Sequence, residues 1–370
     1  MKRLMLWVLA MCVSLMGCAG TVTPSPTPEP TPSMEPTPTP AQSLLPTVEG
    51  QADITIFAMD TVMVLQVYGE NAQENLDLIV QEINRLERDL SVTRETSDIW
   101  AINHSEGAPV TVGEDAATLL ELAQTLGDQT GGALDVTMYP VVKAWGFTTS
   151  DYRIPDQRER KSLLERVGYQ KIETAPIDGS TGLTVTLPQG MELDLGAIAK
   201  GYAGEKAADL LRANGVTSAL LNMGGNVQTV GAKTDGSYWR IGIQDPNGGS
   251  GAYLGVVQMK DQAAVTSGGY ERYFEADGVR YWHIMDPATG APARSGVVSA
   301  TIVAHDGGLC DGLSTSLFIL GVDGALDYWR TYGGFDVILV DEDNNVWVTG
   351  GLKDRFTLVG TQYTLRIVEE

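Results

Sequence analysis

Apolar residues recur along this chain at two spacings, and the spacing changes from segment to segment. Ile54 to Tyr68 alternates in part (Ile54, Ile56, then Met63, Leu65, Val67), which predicts strand with an interruption at Met59-Asp60-Thr61. Over Asn71 to Leu90 the steps lengthen to three and four. Leu76, Ile79, Ile83, Leu86 and Leu90 then share one face with charges opposite, as in an amphipathic helix. Ser91 to Asn103 reads as irregular or briefly helical. Asp115 to Leu126 repeats the helical spacing, with Glu114 or Asp115 as cap, and Gly131-Gly132 ends it. Ala133 to Phe147 reads as a structured loop leading to a short helix, and Gln157 to Val167 as a helix.

Leu183, Val185, Leu187, Met191 and Leu193 alternate as strand up to Asp194. After Gly196 the positions Ala197, Ile198, Tyr202, Ala203, Ala207, Leu210 and Leu211 follow a helix. A strand at Ser218–Asn222 runs into Gly224-Gly225, and Gly268-Gly269 follows another apparent strand. Further β segments are expected at 238–244, 253–259, 279–283, 297–303 and 336–340, with helices at 311–320 and 323–332. There is no tandem repeat. Antiparallel-looking runs separated by helices indicate α+β rather than a regular βαβ series.

The N-terminal end changes the picture. Lys2 and Arg3 precede an apolar run, Leu4 to Leu15, too short to span a bilayer comfortably and laid out like a secretory signal. Leu15-Met16-Gly17-Cys18 looks like a lipoprotein processing site, implying cleavage before Cys18 and lipidation of its sulfur. The alternative is a plain secretory signal with Cys18 incidental. Residues 19–48 carry nine of the 17 prolines and have little to bury. They read as a polyproline-rich tether, or else as a peptide for a partner. The expected division is signal 1–18, tether 19–48 and folded domain 49–370. A net charge of −22 makes nucleic acid a poor partner. Apart from Cys18, the mature chain would keep only Cys310, so no internal disulfide is expected, and no Cys/His spacing suits zinc.

Candidate chemistry lies where carboxylates meet small residues: Asp194, Asp286 and Asp311. The junction Asp194-Leu-Gly-Ala-Ile-Ala-Lys200 puts a lysine and free helix N–H groups where a phosphate can approach. Asp311 and Thr315 are four apart, on one side of a helical turn. With a backbone carbonyl they suit Mg²⁺; the competing reading makes Asp311 a helix N-cap. His283, at a strand end near Asp286, suits a general base or a partly buried structural histidine. His104 and His305 receive no role. Tyr139 and Trp145 suit stacking on a ring or core packing.

Five blocks in order resemble the ApbE-type FAD:protein FMN transferases over about Ile54 to Val359. They are Phe57-Ala-Met-Asp-Thr61; Gly132-Ala-Leu-Asp-Val-Thr137 with Trp145-Gly-Phe147; Asp194 to Tyr202 leading to Asn222-Met-Gly-Gly225; Thr266-Ser-Gly268 with His283-Ile-Met-Asp-Pro-Ala-Thr-Gly290; and Asp311 to Thr315. The resemblance implies a two-lobed α+β catalytic unit with mixed, largely antiparallel sheets flanked by helices. It implies FAD contacts at Met59, Ala133, Leu134, Asp135, Asp194, Lys200 and Met285. It also implies Mg²⁺ held by the Ala197 carbonyl, Asp311 and Thr315, with His283 as base. The implied reaction moves FMN from FAD to a Ser/Thr hydroxyl of an extracytoplasmic protein, usually a subunit of a membrane redox complex, and releases AMP. Two rivals are a metal-dependent FAD pyrophosphatase and a non-catalytic flavin-binding lipoprotein. Thr93 replaces an aromatic of many relatives, and Ser314 an aspartate of some. Asp286 to Pro292 superficially resembles the family's acceptor sequence but ends in proline, so it is read as structural.

Overall fold

The computed structural model describes residues 50–249 and 251–369. The signal segment, Cys18 and the tether lie outside the described residues. At the centre is a nine-stranded sheet whose strands follow chain order: Gln51–Ala58, Thr61–Tyr68, Ser218–Asn222, Asn226–Gly231, Ala263–Gly268, Val297–Ala304, Asp336–Asp341, Asn345–Thr349 and Thr364–Val368. Neighbours pair antiparallel except the last two, which are parallel. The α+β expectation of mixed, largely antiparallel sheets with flanking helices is met.

Both faces of the sheet are covered, and the strand period sorts the residues between them. Ala263 and Val265, Ala300 and Ile302, and Val337 and Leu339 pack with the helices Ala72–Leu90, Ala199–Ala213 and Gly307–Tyr332. Their neighbours Ala264, Val303, Ile338 and Val340 pack with a smaller sheet of Trp239–Gln244, Tyr253–Met259 and Phe356–Leu358. Each fully buried Val, Leu or Ile contributes roughly 1.5–3 kcal/mol relative to exposure. Burial on both sides explains the near-continuous apolar runs of these strands, where a half-exposed strand would alternate.

The expected interruption at Met59-Asp60-Thr61 is a tight hairpin turn. Met59 (φ 48°) and Asp60 (φ 60°) take left-handed conformations between paired Ala58 and Thr61. The second long helix runs Glu114–Gln129, and its N-cap is Gly113, not Glu114 or Asp115. The strand expected to end at Asp194 stops at Thr186, in a small sheet with Val110–Val112 and Glu173–Pro176. Met191, Leu193 and Leu195 are still buried alternately. Their stretch is fixed by the Asn103 side chain, which holds Leu193 N and O at 2.8 Å each, and by Asp194 N–H donating to Val136 O. An extended segment bonded by a side chain has the period of a strand without its ladder. The helix beyond it starts at Ala199.

The helices expected at 311–320 and 323–332 are both present, as the two parts of Gly307–Tyr332 on either side of a break at Gly321 (φ 77°, ψ 177°). Asp306 caps it through Leu309 N–H at 2.7 Å, so Asp311 is inside the helix and is not its N-cap. This helix is long and apolar enough to cross a membrane, with mean hydropathy 1.4, but it packs against the central sheet.

Candidate functional site

A cavity of about 200 Å³ opens on the helix face of the sheet. Its walls bring together Ala133, Leu134, Asp135, Asp194, Ala197, Lys200, His283, Met285, Asp311 and Thr315. Residues 178 positions apart in sequence, from Ala133 to Asp311, meet there. Met59 is not in the wall. Its turn reaches the rim instead, where Asp60 lies 3.6 Å from Arg272 and Thr61 packs against Gly224. A Cβ on Gly224 (φ 75°) would stand 1.9 Å from Thr61 Oγ1, so the wall needs glycine there.

Asp311 is buried, 4% exposed, and takes Gly201 N–H on Oδ2 at 2.8 Å. Lys200 Nζ stands 3.9 Å from the same oxygen and donates to Gly196 O at 3.0 Å. Burial pushes the Asp311 carboxyl up, while Lys200, Gly201 N–H and the neighbouring Asn226 pull it back. Asn226 Nδ2 lies against this carboxyl, buried and without a partner of hydrogen-bond geometry. The helix backbones at this point touch. A Cβ on Gly201 would meet Gly307 O at 2.0 Å, and one on Gly307 would meet Gly201 O at 2.4 Å.

Thr315 is one turn beyond Asp311, with Oγ1 3.3 Å from Ser267 Oγ, which is 2.7 Å from Ser314 Oγ. The donors here are hard: one buried carboxylate, hydroxyls and main-chain oxygens. No cluster of three His, Cys, Asp or Glu side chains suited to a metal occurs among the described residues. That set fits Mg²⁺, which takes few protein ligands and completes its shell with water or phosphate oxygens.

Asp194 accepts Gly196 N–H at 2.9 Å, and burial raises its carboxyl against the pull of that bond, Lys200 and Arg272. Asp135 turns inward. Its carboxylate takes Thr137 N–H (2.8 Å), Thr137 Oγ1 (2.5 Å) and Tyr169 N–H (3.1 Å), so it shapes the Ala133–Met138 wall and offers the cavity little charge. Met285 is buried, and Tyr139 lines the cavity. Trp145 is core, with Nε1 donating to Gly290 O at 2.9 Å. Thr93 is exposed and outside the wall.

His283 Nδ1 lies 3.2 Å from Arg272 O. A carbonyl only accepts, so Nδ1 carries the proton and the Nε2 lone pair is left for a substrate. The ring keeps some open surface, yet protein surrounds it closely. Desolvation and the Arg272 and Lys200 charges push its pKa down to about 3. Arg272, Glu271, Ser267, Asn226 and Ile319 also line the cavity without having been singled out by spacing. Ser267 lies within the Thr266-Ser-Gly268 block; Arg272 follows a strand end in a run with no periodic signal.

Lysine, buried carboxylate, hydroxyls and a neutral histidine around one cavity define an α+β protein equipped for an anionic ligand. The sequence pattern of the ApbE family matches residues 59–339. A Treponema pallidum FAD:protein FMN transferase is 34% identical over 320 residues, covering 82% of this chain and 88% of that protein. A Klebsiella pneumoniae FAD:protein FMN transferase is 34% identical, covering 82% and 94%. Among solved structures, an ApbE protein from Thermotoga maritima superposes with TM-score 0.72 at 34% identity, covering 79% and 94%. The flavin transferase ApbE from Vibrio cholerae does so at 0.72 and 26%, covering 82% and 99%. The chain belongs to the ApbE family, as its five blocks indicated.

Proposed function

We propose that this chain transfers FMN from FAD to a Ser/Thr hydroxyl of an extracytoplasmic acceptor protein and releases AMP. The observation that carries this reading is the convergence of Lys200, Asp311, Thr315 and His283 Nε2 on one cavity. At about 200 Å³ the enclosed part is smaller than the roughly 300–1,000 Å³ of a whole small-molecule site. Part of the dinucleotide therefore extends beyond it. Met285, Leu134 and Tyr139 offer apolar wall to a ring. Lys200 and the Gly196–Ala199 turn bind and orient the diphosphate.

Asp311, Thr315 and the Ala197 carbonyl would hold Mg²⁺, which when bound supplies positive charge against the phosphate oxygens. His283 Nε2 takes the hydroxyl proton as the acceptor oxygen bonds to the FMN phosphorus, and the bond to the AMP oxygen breaks. A pKa of about 3, set mainly by burial, makes a weak base; an anionic diphosphate between Lys200 and Arg272 would offset the smaller part that those two charges add. Positioning and charge neutralisation supply most of the rate.

The reading extends to the ends of the chain: cleavage before Cys18, lipidation there, and a tether to residue 48 would place this site outside the cytoplasm on a membrane. Replacing Cys18 with Ser should release the protein from membranes; unchanged fractionation removes the anchor.

The central test mixes the full-length chain with FAD, Mg²⁺ and an acceptor domain bearing the family's Asp-x-x-Thr/Ser-Gly-Ala-Thr/Ser sequence. Flavin fluorescence on the denatured acceptor, lost with its Thr/Ser→Ala variant, supports transfer. FMN and AMP free in solution identify a pyrophosphatase, and intact FAD a binder.

A further inference from the structure

A second cavity, of about 720 Å³, shares a wall with the first. The shared segment is the short strand Met285–Asp286 and the turn after it: Met285 and Pro287 line the Lys200–His283 cavity, Asp286 and Ala288 line the second, and Ile319 borders both. The second cavity is cationic in a chain of net charge −22. Arg160, Lys161 and Arg294 line it against one carboxylate, Asp286. That carboxylate is already engaged, with Ala288 N–H at 2.8 Å and Thr289 Oγ1 at 3.1 Å.

Arg294 is held over the Trp282 ring at 3.9 Å and donates to Arg280 O. Arg160 and Lys161 are different. Arg160 Nε is shut off from solvent and has no hydrogen-bond partner, and neither side chain has an ion-pair partner, among the described residues. Elsewhere on this acidic surface several arginines find carboxylates, among them Arg153 with Glu159, Arg212 with Asp261 and Arg355 with Asp336. An enclosed guanidinium N–H left unpaired is costly unless something fills the place.

We propose that this cavity is an anion subsite for the acceptor polypeptide, taking a carboxylate side chain that flanks the hydroxyl to be modified. This rests on the reading that the acceptor is a protein. Such a chain must run past His283 on either side of its hydroxyl, and the second cavity adjoins the His283 cavity through residues 285–288 and Ile319. The planar fork of Arg160 matches a carboxylate, and exposed Lys161 adds a salt-sensitive attraction. The nucleotide has its own cation, Lys200, across the wall.

The test measures binding without turnover. A fluorescein-labelled acidic peptide flanking a threonine, and its twin with Asp→Asn and Glu→Gln, are titrated with the full-length chain and followed by anisotropy. The acidic peptide should bind about tenfold tighter, a preference that fades with salt. Arg160→Ala should remove that preference, and so should Lys161→Glu, an exposed change that spares the fold. FAD affinity by flavin fluorescence should stay at the wild-type value in both. Equal binding of the two peptides, or an unchanged preference in both variants, overturns the subsite. So does weakened FAD or AMP binding, which would make the cavity part of the nucleotide site, and so does loss only of anionic-vesicle binding. An intact acidic preference with no FMN transfer by the wild type upholds the subsite and removes the transferase reading alone.

Discussion

The two faces of the central sheet are made from the same strands and lead opposite lives. The face under the small sheet is filled by Leu254, Val257, Met259, Ile338, Val340 and Val348, all buried. The helix face is equally buried but is interrupted by polar side chains: Asp311, Ser314, Asn226 and Gln228. Asn226 Nδ2 and Gln228 Oε1 lack partners there, as Trp239 Nε1 does under the small sheet, but only the helix face buries a carboxylate against the cavity. One face is free to maximise packing. The other gives up part of that stabilisation to hold a charged cavity, the expected trade at a working site. Stability and activity should therefore respond separately to changes on the two sides.

The largest expected effect is on the helix face. Asp311→Ala should cut FMN transfer on the order of 10²–10³-fold, the cost of removing a preorganised electrostatic partner. Retained Mg²⁺-dependent turnover would dissolve the distinction between the faces. Leu254→Ala, fully buried on the other face, should cost about 3 kcal/mol in denaturant unfolding while leaving FAD affinity intact. A changed FAD affinity in that variant would show that the faces are coupled.

Arg272→Met sharpens the contrast through pH. Burial chiefly holds His283 low and the Arg272 charge adds to it, so losing that charge should move the acid limb of kcat/KM part of the way upward. An unmoved limb would mean that His283 is not the titrating base.

The smallest effect concerns Glu205, which accepts Gly307 N–H at 3.1 Å and is pushed up to about 7 by burial and Asp306. A carboxyl raised in the folded state stabilises fully below its unfolded value, and that contribution is lost as pH rises through about 7. Tm should fall over that window, and Glu205→Gln should flatten the slope. An unchanged slope would assign the pH dependence to another group.

These faces were unequally legible. The amphipathic helix at Ala72–Leu90 and the strands at Ser218–Asn222 and Tyr253–Met259 follow from periodicity, because one face of each is apolar in a regular step. Thr364–Val368 gave no such signal: four of its five residues are not buried, and it sits at the sheet edge, held by parallel pairing with Asn345–Thr349. The stretch before Asp194 misled because alternate burial imitates a ladder that Asn103 replaces. Asp311 and Thr315 were legible as a pair from their spacing. Arg272 was not, since a cavity wall of loop residues leaves no period to read. Met59, named with the flavin contacts, is at the rim turn and outside the wall.

The Gly201–Gly307 crossing sets a datum for everything built above it. Lys200 and Asp311 leave their helices beside a contact of bare main chain, so the separation of the two helices there is set by backbone thickness. That is the one dimension that no side-chain replacement can trim. A lineage, or an engineer, wishing to refit this pocket for another ion or nucleotide must work with the side chains above the crossing, such as Ser267 and Thr315, and inherit the helix separation unchanged.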